Sequence, residues 1–294
     1  MAFEYGTRAD AWYRFQSSIA LASASQVQGL WAAAVQPDAI TESWFTALPK
    51  ATRIAYESAL LAGSRAGTYV GQSVGGSTAV KVVPEKLISG TDIYSELASV
   101  ARYVQSDIDR GLPVDQAMQR GGVRAGRVSS NVARDTGRQS ASLGIMADTR
   151  AKGFVRSLKS PSCGRCSILA GKVYAWNDGF KRHPNCDCQH RPLNDPDFET
   201  AETIVETPQQ AFDNMSKAEQ DKAFGKEQAE EVRAGKNPIS VVNRSQAGMS
   251  YPRSPNVRNA NSVKNTAGFR DIVARSGGSR SRAIETAREL GMIV

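Results

Sequence analysis

Cys163, Cys166, His183, Cys186, Cys188 and His190 place every thiol and every imidazole of this 294-residue chain within 28 consecutive positions. They read Cys163-Gly-Arg-Cys166, sixteen further residues, then His183-Pro-Asn-Cys186-Asp-Cys188, with His190 just beyond. Thiolate and imidazole are the donors that tetrahedral zinc prefers, and structural sites draw them as two pairs separated by a loop. A two-residue gap lets one tight turn aim both donors at a single ion. Cys163/Cys166 is one such turn, and His183/Cys186, bent by Pro184, is the second. These four are the expected ligands of a structural zinc. His183, Cys186 and Cys188 compete for two places, and Cys188 is the alternative to Cys186.

Other chemistry fits the pattern less well. Two disulfides would need an oxidising compartment, and the opening Met1-Ala-Phe-Glu-Tyr is polar and carries an acid, unlike a secretory leader. A redox Cys-x-x-Cys belongs in a strand–helix unit that the surrounding sequence does not offer. Both histidines lie in the cluster, so no Ser-His-Asp or Cys-His centre is expected elsewhere. A catalytic zinc keeps an open position, whereas these neighbouring donors can fill all four places. The chain therefore reads as a non-enzyme. Two readings compete with that. One is a zinc-dependent hydrolase or nuclease with Asp178 or Asp187 as base. The other is a zinc-knuckle nucleic-acid binder, which a long helical amino-terminal half fits poorly.

The stretch Ser162-Cys-Gly-Arg-Cys-Ser-Ile-Leu-Ala-Gly-Lys-Val-Tyr174, followed by His183-Pro-Asn-Cys-Asp-Cys188, resembles the Mu F-like minor head proteins of tailed bacteriophages. Leu169, Gly171, Lys172 and Tyr174 match the first half of that family's motif, and His183, Pro184, Asn185, Cys186 and Cys188 match the second. Asp187 departs from it, standing where the family usually has Arg. A weaker echo follows from Met215 to Lys226 and at Arg233-Ala-Gly-Lys236. The motif covers about a tenth of the chain, and the first 140 residues carry none of it. The resemblance implies a minor capsid protein inside the phage head near the portal, made in the bacterial host cytoplasm. Its partners would be the portal, the major capsid protein or packaged double-stranded DNA, with no small-molecule substrate.

Elements must position these residues. Residues 8–35 predict a helix, with Trp12, Phe15, Ile19, Val27, Leu30 and Trp31 at three- and four-residue steps. Ser43–Leu48 leads into a second helix from Pro49 to Tyr69, since Pro suits a first turn. Gly71–Ser77 reads as a break, and Val80–Val83 as a short strand or linker. Ile93, Leu97, Val100, Val104 and Ile108 mark a third helix ending at Gly111. Residues 113–147 continue helically, with a weak point at Gly121-Gly122. Gly153–Leu158 and Lys172–Trp176 alternate as strands, the second closed by Asn177-Asp-Gly179. Ser216 with Glu219 forms a capping box, and Ser281–Leu290 a short terminal helix.

The expected fold is mainly α, with a small α+β zinc-stapled domain: a helical amino-terminal half, short strands around the metal and a polar carboxy-terminal arm. The expected division is 1–148 helical, 149–235 zinc-containing and 236–294 a basic arm. No apolar run approaches the roughly 20 residues that cross a bilayer, so no membrane partner is expected.

The formal charge of +8 favours an anionic partner. Arg120, Arg124, Arg127, Arg134 and Arg138 fall near one helix face, a candidate contact surface. Between residues 236 and 282 of the arm, Lys236, Arg244, Arg253, Arg258, Lys264, Arg270, Arg275, Arg280 and Arg282 face one acid, Asp271. No recognition-helix motif is evident, so DNA contact would be sequence-independent.

Overall fold

The computed structural model describes residues 7–76, 79–88, 90–157, 164–169, 171–179, 188–194, 207–243 and 268–294. It is mainly helical, with one small antiparallel sheet. Helices α1 (Thr7–Ala34), α2 (Ile40–Ser64), α3 (Ala66–Ser73), α4 (Gly90–Asp109) and α5 (Val114–Ala147) fill the amino-terminal half.

α1 and α5 run antiparallel. Trp31 of α1 donates its indole N–H to Met118 O at 2.9 Å near the start of α5. Ser23 hydrogen-bonds Ser129 midway, and Gln16 meets Gly137 towards the end of α5. Small residues make this approach possible. A Cβ on Gly121 would lie 2.4 Å from Trp31 Cζ2, and one on Gly137 would lie 2.0 Å from Gln16 Oε1. The expected weak point at Gly121-Gly122 is thus absent. The helix is continuous there because Trp31 packs into the space the glycines leave, which offsets their poor intrinsic propensity.

α2 begins nine residues before Pro49, earlier than the sequence predicts, and carries that proline inside. Interior proline costs a helix about 3 kcal/mol. The buried stripe Ile40, Trp44, Ala47, Leu48, Ala51, Ala55, Ala59 and Ala62 runs through it unbroken, and this tertiary burial outweighs the lost bond. Trp44 is fully buried and donates to Leu97 O of α4 at 2.8 Å. It meets Trp31 edge-on at 4.9 Å. The predicted break after residue 70 is also displaced, because α3 runs on to Ser73.

Strands β1 (Gly153–Ser157), β2 (Val173–Ala175) and β3 (Gln189–Leu193) form a sheet of order β2-β1-β3. β1 pairs Phe154 with Tyr174 on one side, and Phe154 with Pro192 and Arg156 with His190 on the other. Directly paired residues share a face. Phe154 therefore leads a face that packs on Trp12, Tyr69, Val70, Ala141 and Ile145 of the helical layer. The sheet is seated on the amino-terminal helices rather than held apart from them.

Helices Pro208–Asp213, Lys217–Phe224, Lys226–Arg233 and Pro238–Asn243 follow. The capping box at Ser216/Glu219 is present, and Thr207/Gln210 forms another. Phe212, Phe224, Ala229, Val232, Val241 and Val242 bury their side chains together with Ile168.

The carboxy-terminal arm differs from expectation. Residues 268–294 are packed against the helical half: helices Phe269–Arg275 and Arg280–Glu289 bury Phe269, Ile272, Ala283 and Ala287, and the residues after them bury Met292 and Ile293, against Val82, Leu87, Leu143 and Met146. Val82 bridges Ile293, with Val294 N–H donating to Lys81 O at 2.8 Å. Within the described residues no helix is long and apolar enough to cross a membrane.

Candidate metal centre

The short helix α6 (Gly164–Ser167) presents Cys166, and the residue before β3 is Cys188. Both are buried, and their sulfurs stand 3.2 Å apart as unbridged thiols. Two anchors set this. Ile168, just after α6, is packed among Phe212, Phe224 and Val232. Cys188 is held through its backbone by Arg138 of α5, whose Nε donates to Cys188 O at 2.6 Å.

Arg156 of the central strand lies against both sulfurs, with Nη2 3.1 Å from Cys188 Sγ and 3.7 Å from Cys166 Sγ. It is fully buried. Its backbone is gripped by the Gly171-Lys172 pair: Arg156 N–H donates to Lys172 O at 3.0 Å, and Gly171 N–H donates to Arg156 O at 2.9 Å. Gly171 has φ of 71°, a left-handed conformation that glycine adopts without a steric penalty. The Gly-Lys of the sequence motif thus orients the strand residue that faces the thiols. Tyr174, another motif residue, stacks on Phe154 at 5.1 Å.

His190 is the cross-strand partner of Arg156. Its Nε2 is 3.2 Å from Ser142 Oγ, its carbonyl accepts from Tyr69 OH at 2.7 Å, and its ring meets Phe154 edge-on at 4.3 Å. Burial, then the positive charges of Arg138 and Arg156, push its pKa down to about 3, so the ring is neutral. His190 therefore serves packing between β3 and α5.

The sequence-predicted ligands divide accordingly. Cys163, His183 and Cys186 lie outside the described residues, as does Asp187. The alternative ligand Cys188, ranked behind Cys186 on spacing, is the thiol beside Cys166. Among the described residues no group of three or more His, Cys, Asp or Glu side chains gathers as a metal site. Asp178 accepts from Ala175 N–H at 3.0 Å and closes the turn after β2.

The basic stripe divides too. Arg120, Arg124 and Arg127 are exposed, and Arg124 lies 4.0 Å over the ring of Tyr103. Arg134 is half-buried. Arg138 departs from the expected exposed face: only 1% accessible, it pairs with Asp135 Oδ1 at 3.1 Å and holds Cys188. Arg270, Arg275 and Arg282 are exposed. Arg280 is instead bound to carbonyls at the end of α5. Arg244, Arg253, Arg258 and Lys264 fall outside the described residues.

Sequence reasoning missed Arg156 and placed Arg138 on an exposed contact face, away from the role it has beside Cys188. Their only signal was position: an arginine inside a short apolar strand pattern, and one far along a helix of small residues. No family model, no curated protein and no solved structure matches the chain.

Proposed function

We propose that this chain is a structural minor head protein of a tailed bacteriophage, placed inside the head near the portal, whose small sheet unit is stapled by zinc. The observation that carries the reading is the meeting of the two halves of the Mu F-like motif. Cys166 from the first half and Cys188 from the second converge, buried, with sulfurs 3.2 Å apart. A motif split by a long loop has this consequence when both halves serve one ion.

The donor set suits zinc, being soft thiols on fixed backbone and screened from water. Cys166 and Cys188 would hold the ion with Cys163 and one of His183 or Cys186. The metal would supply folding free energy on the order of 10 kcal/mol to a unit with little core of its own. The exposed Arg120, Arg124 and Arg127 provide a face for packaged DNA or for an acidic surface of the portal or major capsid protein.

Elemental analysis of chain purified without chelator tests the staple, and about one zinc per chain is expected by the four-ligand rule. Cys166→Ser and Cys188→Ser should each lose it. Metal retained in both variants would remove the observation on which the reading stands. Fractionating virions tests the location: the chain should travel with connector, shell or DNA, and its absence from purified heads would refute a head role.

A further inference from the structure

We infer that Tyr103 of α4 is a positioning residue for Arg124 of α5, and that the face they form with Arg120 and Arg127 takes the phosphates of duplex DNA. The inference rests on the head-protein reading above. It narrows the partners of this face to one and adds a residue from a second helix.

Close packing of the two helices sets the pair. α4 meets α5 at Gly121, where a Cβ would lie 2.6 Å from Val104 Cγ2. Tyr103 precedes Val104, and Arg124 follows Gly121 by three positions. The guanidinium carbon of Arg124 consequently stands 4.0 Å from the centre of the Tyr103 ring, which is 51% exposed. A cation over a ring face is attracted by its quadrupole. The stack also fixes the plane of a side chain that otherwise samples many rotamers. A guanidinium fork matches two phosphate oxygens, and one already oriented loses less freedom when they arrive.

Arg120, Arg124 and Arg127 follow one another at steps of four and three, so they share one side of α5. All three are exposed. Among the described residues none is ion-paired with a carboxylate, in contrast to Arg110 with Asp107 and Arg138 with Asp135. The helix rises by about 10 Å from Arg120 to Arg127. Duplex DNA carries one negative charge per roughly 1.7 Å of its axis, so each arginine finds a phosphate in any register. An acidic protein surface would have to match the line charge by charge. The core of a protein interface is also depleted of charged residues. Between Arg120 and Arg127 only Val123 offers an exposed large apolar side chain.

The test uses the full chain and a mixed-sequence DNA duplex. Binding is read by fluorescence anisotropy across a salt series, with helical circular dichroism as the folding control. Arg124→Gln should weaken binding and make the slope of log affinity against log salt shallower by about 0.9. Tyr103→Ala keeps every charge. It should weaken binding by about 2–5-fold, the equivalent of an exposed cation–π contact, with the slope unchanged. Tyr103→Phe keeps the ring and should bind like the unsubstituted chain. Added to Arg124→Gln, Tyr103→Ala should weaken binding no further. Full affinity in Tyr103→Ala, or an equal loss in the Arg124→Gln background, overturns the positioning role. Poly-glutamate that competes as strongly as duplex DNA at equal charge overturns the choice of DNA over an acidic protein. A full chain without salt-dependent DNA binding overturns this inference alone. The head reading is then decided by virion fractionation, because portal and shell remain as partners.

Discussion

Arg280 Nε donates to the carbonyl oxygen of Met146 at 2.9 Å, across 134 positions of sequence. Its Nη2 also reaches the carbonyls of Ile145, Asp148 and Ala151 at 2.6–2.7 Å, and the guanidinium lies over Trp176 at 5.4 Å. Ile145 and Met146 belong to the last turn of α5, whose carbonyls have no partner within the helix, and a cation there also complements the helix dipole. One side chain from the carboxy-terminal arm thus caps α5 and lies over the residue that follows β2. Arg280→Ala should destabilise the protein by about 1.5–3 kcal/mol, the usual worth of hydrogen bonds to a charged group. Arg280→Lys should recover only part, since an ammonium lacks the planar fork. Thermal or urea unfolding measures both, and an unchanged midpoint for Arg280→Ala would show that the clamp contributes nothing.

The same arm makes a second prediction. A chain ending at residue 267 uncovers Val82, Leu87, Leu143 and Met146, which Phe269, Ile272, Met292 and Ile293 now bury. Burial of each large apolar side chain contributes roughly 1.5–3 kcal/mol. The truncated chain should lose several kcal/mol of stability and bind a dye specific for exposed apolar surface. Full stability after truncation would mean that the arm only rests on the core.

Glycines supply a paired comparison. A Cβ on Gly67 would stand 1.7 Å from the carbonyl oxygen of Val80, a backbone atom that cannot swing aside. Gly29, exposed within α1, has nothing within 4 Å of its would-be Cβ. Gly67→Ala should destabilise by at least the roughly 1–3 kcal/mol typical of overpacking. Gly29→Ala should stabilise by about 0.5–1 kcal/mol through backbone entropy. Equal effects from the two substitutions would contradict the close approach of α3 to the segment at Val80.

How much of this was legible in the sequence depends on the range of the interactions. The steps of Leu97, Val100 and Val104 report a local period, so α4 appears where expected. The capping pair Ser216/Glu219 is likewise local, and the short alternations at Phe154 and Tyr174 mark β1 and β2. Pro49 misled because its rule concerns one hydrogen bond, while the buried stripe from Ile40 to Ala62 acts over the whole of α2. β3 was missed because Gln189-His-Arg-Pro-Leu193 has no alternation of apolar and polar types; its partner β1 fixes it. At the site, spacing identified Cys166 and kept Cys188 as a candidate. It could not reveal that Arg138 and Arg156 converge on Cys188, since those contacts span 50 and 32 positions. The arm was read by composition, which is blind to a few apolar residues that find a distant partner surface.

The stripe on α5 yields the last prediction, because burial now separates residues that sequence treated alike. If the exposed Arg120, Arg124 and Arg127 meet phosphates, replacing all three by Gln should weaken binding to duplex DNA of any sequence. The slope of log affinity against log salt should also become shallower by about 0.9 for each phosphate that is no longer neutralised. Arg138→Gln should leave DNA affinity alone, because its guanidinium is buried against Asp135 and the Cys188 carbonyl. Its cost should appear as lower stability and weaker metal retention, since Cys188 loses its backbone anchor. Filter binding across a salt series, with zinc content measured on the same preparations, separates the two roles. A triple variant with unchanged DNA affinity and salt slope would assign this face to solubility or to a protein surface. Loss of DNA binding from Arg138→Gln at full zinc occupancy would mean that the buried arginine is exposed in solution.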